Sequence, residues 1–324
     1  MQSDSDIFRF LPKLPIRVEK PVDMTDTSVG STLGIRRQHM ALNASQIEFY
    51  RENGYLILEN AIDSETLARV RAKIDEFIQL SRSVESSDAI FDLAPSHSPR
   101  EPCVRRLKNP HIQDSLFHDL SRSSMIIDPV AELLGGTVRF DHSKLNFKPP
   151  NSDAAIQWHQ DWGFYPHTND DMLAVGVMIE DCTPDNGPMM VIPGSHRGVV
   201  YNHHENGIFA GGINPDELGD LLGEAIDCTA PAGSISIHHV RTLHASRNNA
   251  TDSTRPLLLY SYMAVDAFPV FDHYEIEEFD SRIIRGAPTV VGRMENLPFR
   301  ISQPRTRDSD SIFDDQRSLS NRIG

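Results

Sequence analysis

Near Val138 the apolar pattern of this chain changes period, and that change limits the folds open to it. Upstream, apolar residues recur at helical spacing: Ile47, Phe49 and Tyr50 follow a capping candidate at 43–46, and Leu67, Val70, Ile74 and Phe77 follow another at 63–66. A third helical stretch, 114–134, is closed by Gly135 and Gly136, and only the short apolar run 54–59 reads there as a strand. Downstream, 138–148, 156–163, 172–180, 189–192, 232–238 and 256–265 are short strand-like runs separated by Pro, Gly, Asn and Asp. A helical front followed by many short strands predicts a mainly β protein with flanking helices, built on a double-stranded β-helix, the jelly-roll or cupin-like core.

The 324 residues, 39% hydrophobic and 24% charged, suffice for one large domain at 44–300. Residues 1–43 read as an irregular arm, with 23–31 disordered or draped, and 301–324 as a polar tail that is loose or helical in part. The net charge of -15 argues against a nucleic-acid partner, which needs a basic footprint. No apolar run approaches the ~18 residues of a membrane span. The acidic start lacks the basic residues of a secretory signal, so a cytoplasmic location is expected. Cys103, Cys182 and Cys228, odd in number and without CxxC spacing, read as small buried hydrophobes in a reducing compartment.

The chemistry concentrates at Trp158-His159-Gln160-Asp161. Residues i and i+2 of a strand share a face, so His159 and Asp161 can offer a nitrogen and an oxygen to one point, and His244 downstream can supply a third donor. Two histidines and one carboxylate on one face of an ion suit non-haem Fe(II), because the opposite positions stay open. A His-x-Asp pair alone, in a chain with 14 histidines, is as readily a surface pair or a hydrogen-bonded core pair. Aromatic Trp162, Phe164 and Tyr165 nearby favour a walled cavity. The run 234–240 before His244 is expected to pair with a strand beginning at Arg255, which the turn 248–253 would return toward His244.

These residues, with Lys148-Pro-Pro150, Asp185-Asn-Gly-Pro188, Ile192-Pro-Gly-Ser-His-Arg197, His244-Ala-Ser246 and Arg255, resemble the phytanoyl-CoA dioxygenase family of Fe(II)- and 2-oxoglutarate-dependent oxygenases, over about 45–268. The resemblance implies that His159, Asp161 and His244 bind Fe(II) and leave room for 2-oxoglutarate and O2. It implies that Arg255 clamps the far carboxylate of 2-oxoglutarate through a two-bond pair, helped by Ser246, and that Arg106 is a further co-substrate contact. The implied reaction hydroxylates an unactivated C–H bond of a small organic substrate with release of succinate and CO2. Related halogenases carry a small residue where Asp161 stands, so the carboxylate favours hydroxylation, desaturation or ring formation over chlorination.

Other residues carry weaker expectations. His238 or His239 is an alternative to His244 as ligand, and His196 reads as a loop-stabilising residue. His203, His204 and Glu205 look like a metal cluster, but neighbours on a strand face opposite ways, so a solvated loop is expected. Lys144 and Asn146 alternate on a strand leading to the site and would reach the co-substrate, while Trp162, Tyr165 and His167 are candidates for substrate contact. Gly176 stands where some family members carry a bulky aromatic, which leaves that pocket roomier or filled from elsewhere. Arg105, Arg106 and Lys108 form at most a small basic cluster, so an acid, a CoA thioester, an amino-acid derivative or a secondary metabolite fits equally, and no oligomeric state follows. The competing reading is a catalytically silent cupin-like metal-binding protein, or a metal hydrolase that does not use 2-oxoglutarate. Arg255 separates the two, since a hydrolase needs no carboxylate clamp.

Overall fold

The structure, a computed structural model, describes residues 41–150, 154–271, 274–306 and 311–323. The expected arm therefore lies outside the described residues, apart from 41–43. Helix α1 (Ala44–Asn53) begins in a reciprocal capping box between Asn43 and Gln46 and ends at Gly54, whose φ of 75° only glycine adopts without strain. Strand β1 (Tyr55–Leu58) follows, then α2 (Ser64–Ser81), capped by the Asp63 carboxylate accepting from the Thr66 amide.

A short helix α3 (Pro110–Gln113) precedes the stretch 114–134, and the single helix expected there is broken into α4 (Ser115–Ser121) and α5 (Ser124–Leu133). At the α4–α5 break, the Ser121 and Ser123 hydroxyls donate back to the carbonyls of His118 and Leu120, the local competition by which serine interrupts a helix. The remaining strands are β2 (Phe91–Leu93), β3 (Val104–Lys108), β4 (Val138–Lys148), β5 (Ile156–His159), β6 (Met172–Met178) and β7 (Met189–Val191). After these come β8 (His204–Glu205), β9 (Ile208–Phe209), β10 (Ile226–Cys228), β11 (Ile235–His239), β12 (His244–Ser246), β13 (Arg255–Met263) and β14 (Ile283–Arg285).

Apart from β8 and β9, which pair only with each other, they form the two antiparallel sheets of a jelly roll. The large sheet runs β1-β11-β6-β13-β4-β3-β2 with β14 against β4, and the small one runs β10-β7-β12-β5. Helices α4 and α5 cover the large sheet: the Tyr260 and Tyr262 hydroxyls donate to the carbonyls of Phe117 and Ser121 at 2.8 and 2.7 Å, and Met125, Ile126 and Ile127 are buried. Each phenol thus keeps its polar end satisfied while its ring fills the core.

Two expectations about topology are corrected. The run 156–163 is a strand only to His159; residues Asp161–Gly163 form a 3-10 turn, so Asp161 does not reach the site by strand alternation. Strand β11 does not pair with β13, because β6 lies between them; β12 belongs to the small sheet, and Arg255 approaches from the large one. The C-terminal residues form a short helix, Ile312–Asp315, and a 3-10 turn, Gln316–Ser318, with Ser311, Asp315, Gln316 and Leu319 buried. Among the described residues, no helix is long and apolar enough to cross a membrane.

Candidate active site

Pairing of β5 with β12 sets His159 directly opposite His244, with ring centroids 4.0 Å apart. Each ring donates through Nδ1 to a carbonyl two residues upstream, Gln157 O at 2.8 Å and Thr242 O at 2.9 Å. These bonds fix the tautomer and turn both Nε2 lone pairs toward Asp161, whose Oδ1 lies 3.8 Å from His159 Nε2 and 4.0 Å from His244 Nε2. Ligand atoms of the three residues all fall within 4.8 Å of one another, and all three residues are buried.

Burial pushes the His159 imidazole down to about 4, and it holds His244 well below the ordinary histidine range with help from the neighbouring His159 and His238 rings. Both rings are therefore neutral near pH 7, the form that coordinates a metal. Burial works to raise Asp161, but the His238 hydrogen bond, the His244 ring and Lys144 outweigh it and keep the carboxyl well below the usual range. Two neutral imidazoles and one ionised carboxylate, with no fourth side-chain donor in the group, fit a divalent iron that keeps open positions.

The three line a cavity of about 80 Å3 enclosed between the sheets. The large sheet contributes Arg106, Lys144, Asn146 and Arg255 to its wall, and the small sheet contributes Ser246. Arg255 is 4% exposed and fastened by donation from Nε to Asn186 O at 3.3 Å and from Nη2 to Gly187 O. This contact explains the Asp185-Asn-Gly-Pro188 motif. Gly187 has φ 76°, and a Cβ there would stand 2.6 Å from Arg247 O, so only glycine lets the turn offer its carbonyls to the guanidinium. The Arg106 Nε donates to Asn146 Oδ1 at 2.9 Å, while its Nη2 is buried with no partner. A second cavity of about 260 Å3 adjoins the first, sharing Arg106, Lys144, Asp161 and Ile312 and adding Tyr165 and His142.

His238 falls outside the group formed by His159, Asp161 and His244: it sits on β11, and its Nε2 hydrogen-bonds Asp161 Oδ2 at 3.3 Å, the oxygen turned from the histidine pair. Its position on the face shared with the site was readable; its contact with the carboxylate was not. Trp162 and His167 are absent from the walls of both cavities. Trp162 is core, its Nε1 donating to Pro298 O at 3.1 Å, and His167 is buried with Nδ1 on the Tyr165 carbonyl. His239 pairs with Asp170 at 3.8 Å, and His196 braces the Arg51 carbonyl at 3.1 Å. His203 is buried rather than solvated, accepting from the Gln160 amide at 2.9 Å and so holding the turn that carries Asp161. Of the expected basic cluster, Arg105 is tied to Asp92 at 2.5 Å and Lys108 to Asp88 O at 2.9 Å, so Arg106 is the member left to the triad cavity. At Gly176 a Cβ would meet Ser236 Oγ at 2.8 Å, with Leu257 and Leu259 within 3.5 Å; the space is filled from β13 and β11. Ile312 and Phe313, which also line the triad cavity, carry no motif in the sequence.

The model of the family described as phytanoyl-CoA dioxygenase (PhyH) matches residues 50–257. The chain belongs to that family. A probable alpha-ketoglutarate-dependent hypophosphite dioxygenase from Stutzerimonas stutzeri is 36% identical over 282 residues, covering 85% of this chain and 98% of the relative. An ectoine dioxygenase from Stutzerimonas stutzeri (strain A1501) is 29% identical over 246 residues, covering 71% of this chain and 79% of its own. The fold matches the crystal structure of EctD from S. alaskensis with bound Fe, with TM-score 0.60 and 22% identity over 81% of this chain and 89% of that one. This phytanoyl-CoA dioxygenase family member is thus an enzyme, a dioxygenase that uses iron, 2-oxoglutarate and O2.

Proposed function

We propose that this dioxygenase hydroxylates an X–H bond of a small anion, with the P–H bond of hypophosphite as the first candidate. One observation carries the reading: two cations, Arg106 and Lys144, face the triad cavity, and among the described residues neither forms a direct salt bridge, although Asp161 lies near Lys144 and Asp92 near Arg106. The Lys144 ammonium makes no hydrogen bond among the described residues, and burial pulls both groups below their ordinary values. A divalent ion, the Asp161 carboxylate, dianionic 2-oxoglutarate and the Arg255 guanidinium cancel in charge, which leaves these two cations for the substrate. Buried charge without a counter-ion is costly, and an anionic ligand relieves that cost. The adjoining volume, about 260 Å3, falls below the ~300–1,000 Å3 of common ligand pockets and suits a small ion. Hypophosphite is the substrate named for the 36% identical relative.

In this reading His159, Asp161 and His244 hold Fe(II), and Arg255 with Ser246 receives the far carboxylate of 2-oxoglutarate. Asn146 fixes the Arg106 fork by accepting from its Nε, so that Arg106 and Lys144 draw the anion to the open side of the triad. His238, bonded to the outer oxygen of Asp161, would orient that carboxylate and leave its other oxygen to hold iron. Iron and 2-oxoglutarate, when bound, supply the oxidising chemistry: one atom of O2 enters the P–H bond to make P–OH, and the other ends in succinate as CO2 leaves. Anaerobic Fe(II) with 2-oxoglutarate is expected to give a weak visible band, and aerobic addition of hypophosphite to give succinate, read by proton NMR, and phosphite, read by phosphorus NMR, in equal amounts. Succinate release unchanged by hypophosphite and by small carboxylates, in protein that shows the band, removes the small-anion reading.

A further inference from the structure

Building on that dioxygenase reading, we infer that the C-terminal segment 311–323, which lies beyond the residues matched by the family, is the specificity-determining wall of the active site, with Phe313 setting the largest substrate admitted. Phe313 is a shared wall. It lines the triad cavity on one side and, on the other, an outer cleft of about 960 Å3 that carries Arg317 and Arg322. Ile312 is likewise shared by the triad cavity and the 260 Å3 cavity beside it. The two side chains thus stand at the boundaries that keep the reacting space small.

The segment is built in rather than draped. Gln316 is buried: its Oε1 accepts from the Gln157 amide at 2.9 Å, and its Nε2 donates to Gly211 O at 2.8 Å. The Ile323 amide donates to Gln157 Oε1 at 2.6 Å, so the middle and the far end of the segment are tied to one residue of β5, two positions before His159. A Cβ on Gly212 would come 2.6 Å from Leu319 Cδ1, which shows how closely the segment beds down. Phe313 itself is held beneath two guanidiniums, with Arg105 Cζ 5.3 Å and Arg106 Cζ 5.4 Å from its ring centroid. Arg106 is a cation assigned above to the anion, so the wall that limits size also braces a group that binds charge.

Removing the ring joins the triad cavity to the outer cleft, and the barrier to bulk falls while the metal ligands stay untouched. The test uses the anaerobic full-length protein loaded with Fe(II) and 2-oxoglutarate, with hypophosphite, methylphosphinate and phenylphosphinate as one ladder and acetate and benzoate as another. Binding is read by perturbation of the visible band and by calorimetry. Wild type is expected to favour the small member of each ladder by about tenfold or more, the scale on which pockets discriminate by size. Phe313→Ala is expected to shrink that ratio to near unity and Phe313→Trp to widen it, both with the band intact. Ile312→Ala serves as the second opening variant if Phe313→Ala does not fold. An unchanged size ratio in the open variants, no size preference in wild type, or no response to either ladder in protein that shows the band each overturns the inference. Absence of the band in wild type strikes instead at the dioxygenase reading.

Discussion

The two sheets that face each other across the cavity bring opposite chemistry to it. The small sheet and its following turn present neutral imidazoles and one carboxylate, His159, His244 and Asp161, on strands of three and four residues. The large sheet presents cations, Arg106 and Lys144 and Arg255, on β3, β4 and β13. The difference follows from what each wall would hold. A cation needs neutral or negative donors whose lone pairs point inward, and carbonyl-bonded imidazoles supply them. A dianionic co-substrate and an anionic substrate need fixed positive forks, and long strands with paired neighbours hold long side chains at set registers. On the proposed roles, metal binding and anion binding are expected to be separable by mutation, sheet by sheet.

The largest effect that tests this division is on the small sheet. His244→Ala is expected to abolish the visible iron–2-oxoglutarate band and turnover together, weakening iron by well over ~100-fold, since changes even to partners of ligands cost ~10–100-fold. Arg255→Gln, on the large sheet, is expected to leave iron binding in place and to weaken 2-oxoglutarate by about 2–5 kcal/mol, the usual loss when one member of a buried charge pair is truncated. Loss of iron affinity in Arg255→Gln would break the comparison. Lys144→Met is expected to spare both iron and 2-oxoglutarate and to raise the substrate KM by ~10- to 100-fold, consistent with about 1.5–3 kcal/mol for a hydrogen bond to a charged group. If its effect falls on 2-oxoglutarate instead, Lys144 belongs to the co-substrate and the charge left for the substrate is halved.

His238 blurs the division usefully, because it reaches the metal carboxylate from the large sheet. His238→Phe keeps the volume and removes the donor. It is expected to weaken Fe(II) by ~10-fold, at the mild end of the effect of a ligand's hydrogen-bond partner, and to raise uncoupled succinate release. Unaltered iron affinity measured by titration of the metal-free protein would mean that Asp161 is held by the 3-10 turn alone.

How much of this was legible depended on whether a feature was local. The helix caps at Asn43 and Asp63, the Gly54 stop and the strand runs of the core stand in short windows of sequence, because capping and period are set by neighbours a few residues apart. The convergence of His159, Asp161 and His244 was legible because each sits in a stretch whose spacing is constrained by one strand or turn. Nonlocal facts were not. That β6 separates β11 from β13, that Arg105 spends its charge on Asp92 while Arg106 does not, and that Phe313 walls the cavity all depend on residues far apart in the chain. Trp162 illustrates the confusion: an aromatic next to a ligand suits a pocket wall, yet the 3-10 turn at Asp161–Gly163 swings it into the core.

The smallest expected effect concerns acid. On the small-sheet side the Gln160–Asp161 turn is held by His203, whose Nε2 accepts from Gln160 N and whose Nδ1 donates to Tyr201 O at 3.1 Å, a pattern open only to the neutral ring. Burial pushes His203 down to about 3, and burial pushes His111, on α3, down to about 4. In the unfolded chain both titrate near ~6.5. Between that value and about 4 the unfolded state therefore binds more protons than the folded one, so stability falls as pH falls and levels off above pH ~7. The depressed carboxyl of Asp161 acts with the same sign in a lower window: its contribution is present above ~4 and is lost only at stronger acid. Melting of the metal-free protein is thus expected to drop by several degrees from pH 7.5 to 5, at ~2–4 °C per kcal/mol lost. His203→Gln, which keeps an acceptor for the Gln160 amide without a titrating ring, is expected to flatten part of that slope. A wild-type melt that does not move with pH would mean the small-sheet wall tolerates charged imidazoles, and the contrast between the two sheets would then rest on the metal ligands alone.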